Sequence, residues 1–292
     1  MKSYQEDIDL MPSPTDYIDL ERYPINDVGS VNHVKMISDI RSALSHDGCA
    51  VLKGFVKSEM IPSLVEEADH VAPFAHNSKN RTNPYFTQDD KALDYDHPRR
   101  RFYDRSNAFI PADNFGAKSG LRAIYEWPAF FEFVREALDE PEERFHRYAD
   151  PLADVIVNMA DQGNGFPWHF DTNNYTVTLA IQNADAGGDF EYAANIRKGS
   201  ENFEAVRDVL DETSNRVTVL TLEPGDLQIF KGRYSLHRVA PLQGSTPRYV
   251  AIFSYVEEPG MVGAPERTKQ LYGKVLPIHL ERAGLRADAY ID

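Results

Sequence analysis

The chain has 292 residues, a net charge of −15 and one cysteine among 42% hydrophobic residues. That length allows one sizeable core, since all-β sandwiches and barrels run to about 200–250 residues as single domains. The acidic balance favours solubility and argues against a nucleic-acid partner, which calls for basic patches. With only Cys49, no intrachain disulfide is possible. It lies in the apolar run Cys49-Ala50-Val51-Leu52 and reads as a small buried hydrophobe. Residues 1–20 are acidic and polar, with no basic n-region and no apolar h-region, so no secretory signal is expected. No run of about 18 apolar residues exists to cross a membrane. A cytoplasmic protein is the expectation, with monomer and homodimer both open.

Residues 1–30 read as an extended arm. Ser30 or Asn32 is placed to cap a helix with Val34, Ile37, Ile40 and Leu44 on one face, ended by Asp47-Gly48. A strand is predicted over Cys49–Val56. Ser58 then caps a second helix presenting Ile61, Leu64, Val65, Ala68 and Ala72. Residues 76–117 are polar and aromatic with little periodicity, and a loop this long is commonly functional. A third helix runs over Pro128–Leu138, with Phe130, Phe131, Val134 and Leu138 on one side.

From Asp154 the texture changes to short strands with turn signals. Strands are predicted over Val155–Ala160, Thr176–Gln182, Asp189–Ala194, Val217–Leu222, Asp226–Phe230, His237–Ala240 and Tyr249–Val256, with one helix over Phe203–Leu210. Gly163-Asn164-Gly165, Gly187-Gly188, Pro224-Gly225-Asp226 and Gly244-Ser245 mark the turns. Many short strands with regular turns indicate a sandwich or jelly roll.

The central feature is Trp168-His169-Phe170-Asp171. In an extended segment, residues i and i+2 point to the same side, so His169 and Asp171 can converge on one ion. His237 follows, in a strand after the Pro-Gly-Asp turn. Two imidazoles and one carboxylate on one face of an ion leave the opposite face open, the arrangement of non-haem iron(II) oxygenases. His33, His46, His70, His76, His97, His146 and His279 show no metal-ligand spacing.

Beyond the triad, Glu223-Pro224-Gly225-Asp226-Leu227-Gln228-Ile229-Phe230, then His237-Arg238-Val239-Ala240-Pro241-Leu242, then Arg248 resembles the C-terminal half of the 2-oxoglutarate/iron(II) oxygenase core. Trp168-His169-Phe170-Asp171-Thr172-Asn173-Asn174, Gly187-Gly188-Asp189-Phe190-Glu191-Tyr192 and Asn195-Ile196-Arg197 resemble its bacterial subgroup of free-amino-acid halogenases and hydroxylases. The resemblance covers about residues 150–256. It implies a mainly β fold with flanking helices and a double-stranded β-helix core, jelly-roll and cupin-like. One oxygenase domain would then span 1–292: the arm, a helical flank and substrate loop over 31–150, the jelly-roll core over 151–256, and a C-terminal extension over 257–292.

The resemblance also implies iron(II) at His169, Asp171 and His237, with 2-oxoglutarate and dioxygen as cosubstrates. Arg248, 11 residues after His237, would clamp the far carboxylate of 2-oxoglutarate, for which a guanidinium fork is suited. The family commonly carries Ser or Thr two residues after this arginine. Here that position is Val250, and Ser254 on the same strand face is the candidate hydroxyl. The halogenases replace the metal carboxylate with Gly or Ala; Asp171 points instead to hydroxylation, with succinate and carbon dioxide released. The implied substrate is a small molecule, a free amino acid in the first instance, cationic ones such as lysine included. Arg105 is the candidate for a substrate carboxylate, and Phe166, Trp168, Thr172 and Tyr272 for the pocket. A cupin-type metal-dependent hydrolase or isomerase, and a non-catalytic jelly-roll binding module, stand as the alternatives.

Overall fold

The computed structural model describes residues 12–172 and 175–282. Asn173, Asn174, the first part of the expected arm and the end of the C-terminal extension lie outside the described residues.

Helix α1 (Val31–Asp47) begins where the Ser30 hydroxyl accepts from the His33 amide and ends at Gly48, whose φ of 65° closes it in the left-handed region. It buries His33, Ile37, Ile40 and Leu44, while Val34, expected on this face, is exposed. Strand β1 (Cys49–Leu52) stops four residues before the expected Val56, because the chain turns at Gly54 (φ 61°). Helix α2 (Ile61–Val71) buries Leu64, Ala68 and Val71. Residues 76–117 contain short strands that periodicity did not reveal: His76–Asn77, Asn80–Thr82, Tyr103–Arg105 and β2 (Ala108–Ile110). Helix α3 (Gly120–Glu126), capped by Ser119, had no counterpart in the sequence reading. Helix α4 (Pro128–Leu138) buries Phe130, Phe133, Val134, Ala137 and Leu138.

The remaining strands are β3 (Val155–Ala160), β4 (Phe166–His169), β5 (Tyr175–Gln182), β6 (Phe190–Ala193), β7 (Val217–Leu220), β8 (Leu227–Phe230), β9 (Leu236–Val239) and β10 (Arg248–Val256). The larger sheet runs β1-β8-β5-β10-β3-β2 and then His76–Asn77, with His146–Arg147 on the end of β10. The smaller sheet runs β7-β6-β9-β4. All these pairings are antiparallel. Cys49 and Phe230 of the larger sheet pack with Phe190 and Tyr192 of the smaller, so the two sheets face each other as a double-stranded β-helix.

Alternation decides what each face does. Tyr249, Ala251, Phe253 and Tyr255 of β10 join Val155, Val157, Val177, Leu179, Leu227 and Ile229 in the core shared with α1–α4. The helices therefore cover the outer face of the larger sheet. Arg248, Val250, Ile252 and Ser254 consequently point into the barrel. After β10, α6 (Pro265–Tyr272) packs back toward β2, following α5 (Phe203–Leu210), which lies between β6 and β7 in the chain. The short helix Pro277–Glu281 buries His279. No described helix is long and apolar enough to cross a membrane.

Candidate metal centre

His169 ends β4 and His237 lies in β9, and the two are directly paired across the ladder. The register then shifts: Val239 pairs with Phe166, so β4 spends three residues where β9 spends two. This bulge sharpens the local twist. The imidazole centroids are 4.1 Å apart. Asp171 follows two residues after His169, beyond the strand end. Its Oδ1 lies 3.4 Å from His237 Nε2 and 3.7 Å from His169 Nε2. Among the described residues, this is the one group of three or more such side chains whose ligand atoms converge within 4.8 Å.

The donor set fits a metal ion. His169 Nδ1 bonds the Pro167 carbonyl at 2.8 Å and His237 Nδ1 bonds the Ser235 carbonyl at 2.9 Å. Donation from Nδ1 turns each Nε2 toward Asp171, the outer-sphere arrangement that fixes a ligating histidine. Burial and the neighbouring His237 pull the His169 pKa down to about 3, so its ring is neutral. Burial works against the Asp171 carboxylate, but the facing His237 and His169 outweigh it and hold that group well below its ordinary pKa. Two imidazoles and a carboxylate form the facial set that suits iron(II).

Two residues that the sequence did not mark as part of the site shape Asp171. The Thr176 hydroxyl donates to its Oδ2. Gly232 supplies the carbonyl that accepts from the Asp171 amide at 3.1 Å, and a Cβ on Gly232 would lie 2.7 Å from the Asp171 Cγ.

Arg248 starts β10 inside the barrel. It is buried and makes no ion pair among the described residues. Burial draws its pKa down to about 10, with Asp189 offsetting part of the effect, so it stays charged near neutrality. Ser254 does not assist it. Six residues along a strand span about 20 Å, and the Ser254 hydroxyl donates to the Ala153 carbonyl at 2.7 Å. Trp168 also departs from its expected place. It alternates with His169, so it points away from the metal and packs with Phe170, Val206 and Val209 against α5, its ring under Arg238.

The other expected pocket residues lie at different removes from His169. Phe166 stacks on its imidazole at 3.7 Å. Arg105 is 2% exposed, with its guanidinium carbon 4.3 Å from the Phe166 centroid. Tyr272 meets Phe109, which in turn meets Phe166. Thr172 follows Asp171 directly, and its carbonyl accepts from Arg233. Phe86, unforeseen, lies 5.6 Å from the His169 ring.

A family model described as Halogenase D matches residues 32–264. The chain belongs to the Halogenase D family. No curated protein sequence matches it. Among solved structures, this Halogenase D family member is similar in fold to the epimerase SnoN, crystallised with Fe3+, alpha ketoglutarate and nogalamycin RO. The TM-score is 0.52 at 11% identity, over 87% of this chain and 93% of SnoN. HygX from Streptomyces hygroscopicus, crystallised with nickel, 2-oxoglutarate and hygromycin B, gives 0.50 at 11% identity, over 75% of this chain and 86% of HygX. AviO1 from Streptomyces viridochromogenes Tue57 gives 0.51 at 14% identity, over 78% and 97%. At such identities the likeness concerns the fold alone. This Halogenase D family member carries an aspartate, Asp171, in its triad.

Proposed function

We propose that this protein is an iron(II)- and 2-oxoglutarate-dependent dioxygenase that hydroxylates an unactivated C–H bond of a small molecule, a free amino acid in the first instance. The observation that carries the reading is the convergence of the Asp171 carboxylate with His169 and His237. A carboxylate there fills the position that a halide needs, so oxygen insertion is favoured over halogenation despite the family's description. Iron(II) bound with 2-oxoglutarate and dioxygen supplies the oxidising power, with succinate and carbon dioxide as co-products.

The chain's own residues divide the remaining work. His169, Asp171 and His237 would hold the metal, and their neighbours keep them aimed. Arg248 would take the far carboxylate of 2-oxoglutarate, since a buried guanidinium that makes no ion pair among the described residues calls for an anion. This buried cation is also what sets the reading apart from a cupin-type hydrolase. Arg105 would take a substrate carboxylate, with Phe166, Thr172 and Tyr272 at the pocket.

The test is a screen of succinate formation across the free amino acids with iron(II), 2-oxoglutarate and oxygen, with chloride present and absent. Amino-acid-dependent succinate and a product heavier by one oxygen are expected. Chlorinated product from the wild-type protein, or no 2-oxoglutarate binding by the iron-loaded protein, would overturn the reading.

A further inference from the structure

Asn80–Thr82 and Tyr103–Arg105 form a two-stranded ladder in which Asn80 pairs directly with Arg105. Directly opposed residues put their side chains on one face of a ladder, about 4.5–5.5 Å apart at Cβ. Past Arg105 the chain reaches Asn107, whose Oδ1 accepts from Arg105 Nε at 2.9 Å. The Ser78 amide in turn donates to the Asn107 carbonyl at 3.2 Å. Two segments far from the iron ligands in sequence thus bring four polar residues together.

All four carry buried polar atoms without a partner among the described residues: Ser78 Oγ, Asn80 Oδ1, Arg105 Nη1 and Nη2, and Asn107 Nδ2. Arg105 and Asn107 are 2% and 0% exposed. Asn80 is partly exposed and still buries its Oδ1. Leaving such an atom unmet costs about 1–3 kcal/mol, and more where the group is charged. Buried polar atoms are normally paired, so a cluster of unmet ones calls for a ligand. The cluster has two signs. The Arg105 and Asn107 nitrogens only donate, and Asn80 Oδ1 only accepts. A carboxylate suits the donors, the guanidinium fork above all. An ammonium suits the acceptor, and the Ser78 hydroxyl can serve either.

This cluster lies one ring away from the metal centre. The Arg105 guanidinium carbon is 4.3 Å from the Phe166 centroid, 5.2 Å from that of Phe109 and 5.8 Å from that of Phe86. Phe166 stacks on the His169 imidazole, and Phe86 lies 5.6 Å from it. The Arg267 guanidinium lies 3.8 Å over the Phe86 ring. Phe109 is buried, whereas Phe86 and Phe166 are partly exposed. A ligand therefore approaches the fork from their side, which is the side of His169, and reaches it by turning one of these rings aside.

Resting on the oxygenase reading, we infer that Arg105, Asn107 and Asn80 form a site for both charged groups of a free α-amino acid. Arg105 Nη1 and Nη2, with Asn107 Nδ2, take the carboxylate, and Asn80 Oδ1 accepts from the α-ammonium. An acid without the amino group leaves Asn80 Oδ1 buried and unmet, and an amine without the carboxylate leaves the guanidinium so. A site built to hydrogen-bond a group rejects the analogue that lacks it. This discrimination is independent of the substrate's side chain.

Calorimetry titrates the full-length protein, loaded anaerobically with iron(II) and 2-oxoglutarate, with each of the twenty proteinogenic L-amino acids. The tightest binder is then compared with the acid lacking its α-amino group and the amine lacking its carboxylate. For leucine these are 4-methylpentanoate and 3-methylbutylamine; for lysine, 6-aminohexanoate and 1,5-diaminopentane. Each analogue should bind at least tenfold more weakly than its parent. A smaller loss for either analogue, or no amino acid binding, overturns the inference. Asn80→Leu should cut the preference for the amino acid over its des-amino analogue at least fivefold. A smaller cut, or loss of both ligands together from a protein folded by circular dichroism, overturns the role of Asn80. Should that variant not fold, the analogue comparison on the wild-type protein still decides. Binding of an amino acid without binding of 2-oxoglutarate counts against the oxygenase reading alone. Binding of 2-oxoglutarate without any amino acid counts against this inference alone.

Discussion

Asp171 occupies the space that a side chain on residue 232 would take, and Gly232 in turn accepts the Asp171 amide hydrogen. The glycine is therefore part of the metal centre although it offers no ligand. Gly232→Ala should push the carboxylate out of place and lower iron(II) affinity by about 10–100-fold, the range for groups that orient metal ligands. An iron titration checks this, and wild-type affinity in the variant would detach Gly232 from the site.

His169→Ala, Asp171→Ala and His237→Ala should each abolish iron-dependent turnover and leave a folded protein, because none of the three side chains belongs to the main hydrophobic core. Turnover and circular dichroism measured together test the claim. Normal turnover in any one variant would remove that residue from the triad.

Arg248→Ala should weaken 2-oxoglutarate far more than substrate. Losing a buried charge-assisted pair costs about 2–5 kcal/mol. Separate titrations of the two compounds give the comparison, and equal losses would contradict the assignment.

Asp171→Gly should lose hydroxylation and open a coordination position to water or chloride. A crystal structure of the iron-loaded variant would show the new occupant. A wild-type crystal structure with the Asp171 carboxylate several ångströms from the metal would defeat the hydroxylase argument at its first step.

His279→Ala should loosen the C-terminal segment. His279 and Asp150 are both fully buried and 3.0 Å apart, so the variant leaves Asp150 short of a partner at a cost of about 1–3 kcal/mol. Denaturant unfolding gives the stability. Since α6 carries Arg267 and Tyr272, KM for the substrate should rise more than kcat falls.

Much of the metal centre was legible because its signals are local. His169 and Asp171 are two residues apart, and His237 and Arg248 have a fixed spacing around one turn. Parity correctly put Arg248 on the inner face of its strand. Parity gives a face and no distance, which is why Ser254 shared that face and still lay too far along. Alternation from His169 also places Trp168 on the opposite face, so the pattern itself speaks against a place in the pocket. The strands within 76–117 were illegible for a different reason. Two or three residues carry no period, and their pairing is decided by partners far along the chain, as when Ala108 meets Met159. Helix α6 did leave signals, Pro265 at its first turn and Gly273 at its end, but its polar composition masked them. Gly232 and Thr176 become meaningful only when the fold brings them to Asp171.

Because Asp171 stands just past the end of β4, the sheet does not depend on what its side chain is. The bond that fixes its position runs from its backbone amide to Gly232, and any residue but proline can make it. The two histidines, by contrast, face each other inside the ladder. Under the hydroxylase reading, the position that chooses between inserting oxygen and admitting a halide is thus the cheapest of the three for mutation to explore. A lineage built on this scaffold could exchange one outcome for the other by a single substitution without first having to rebuild its fold.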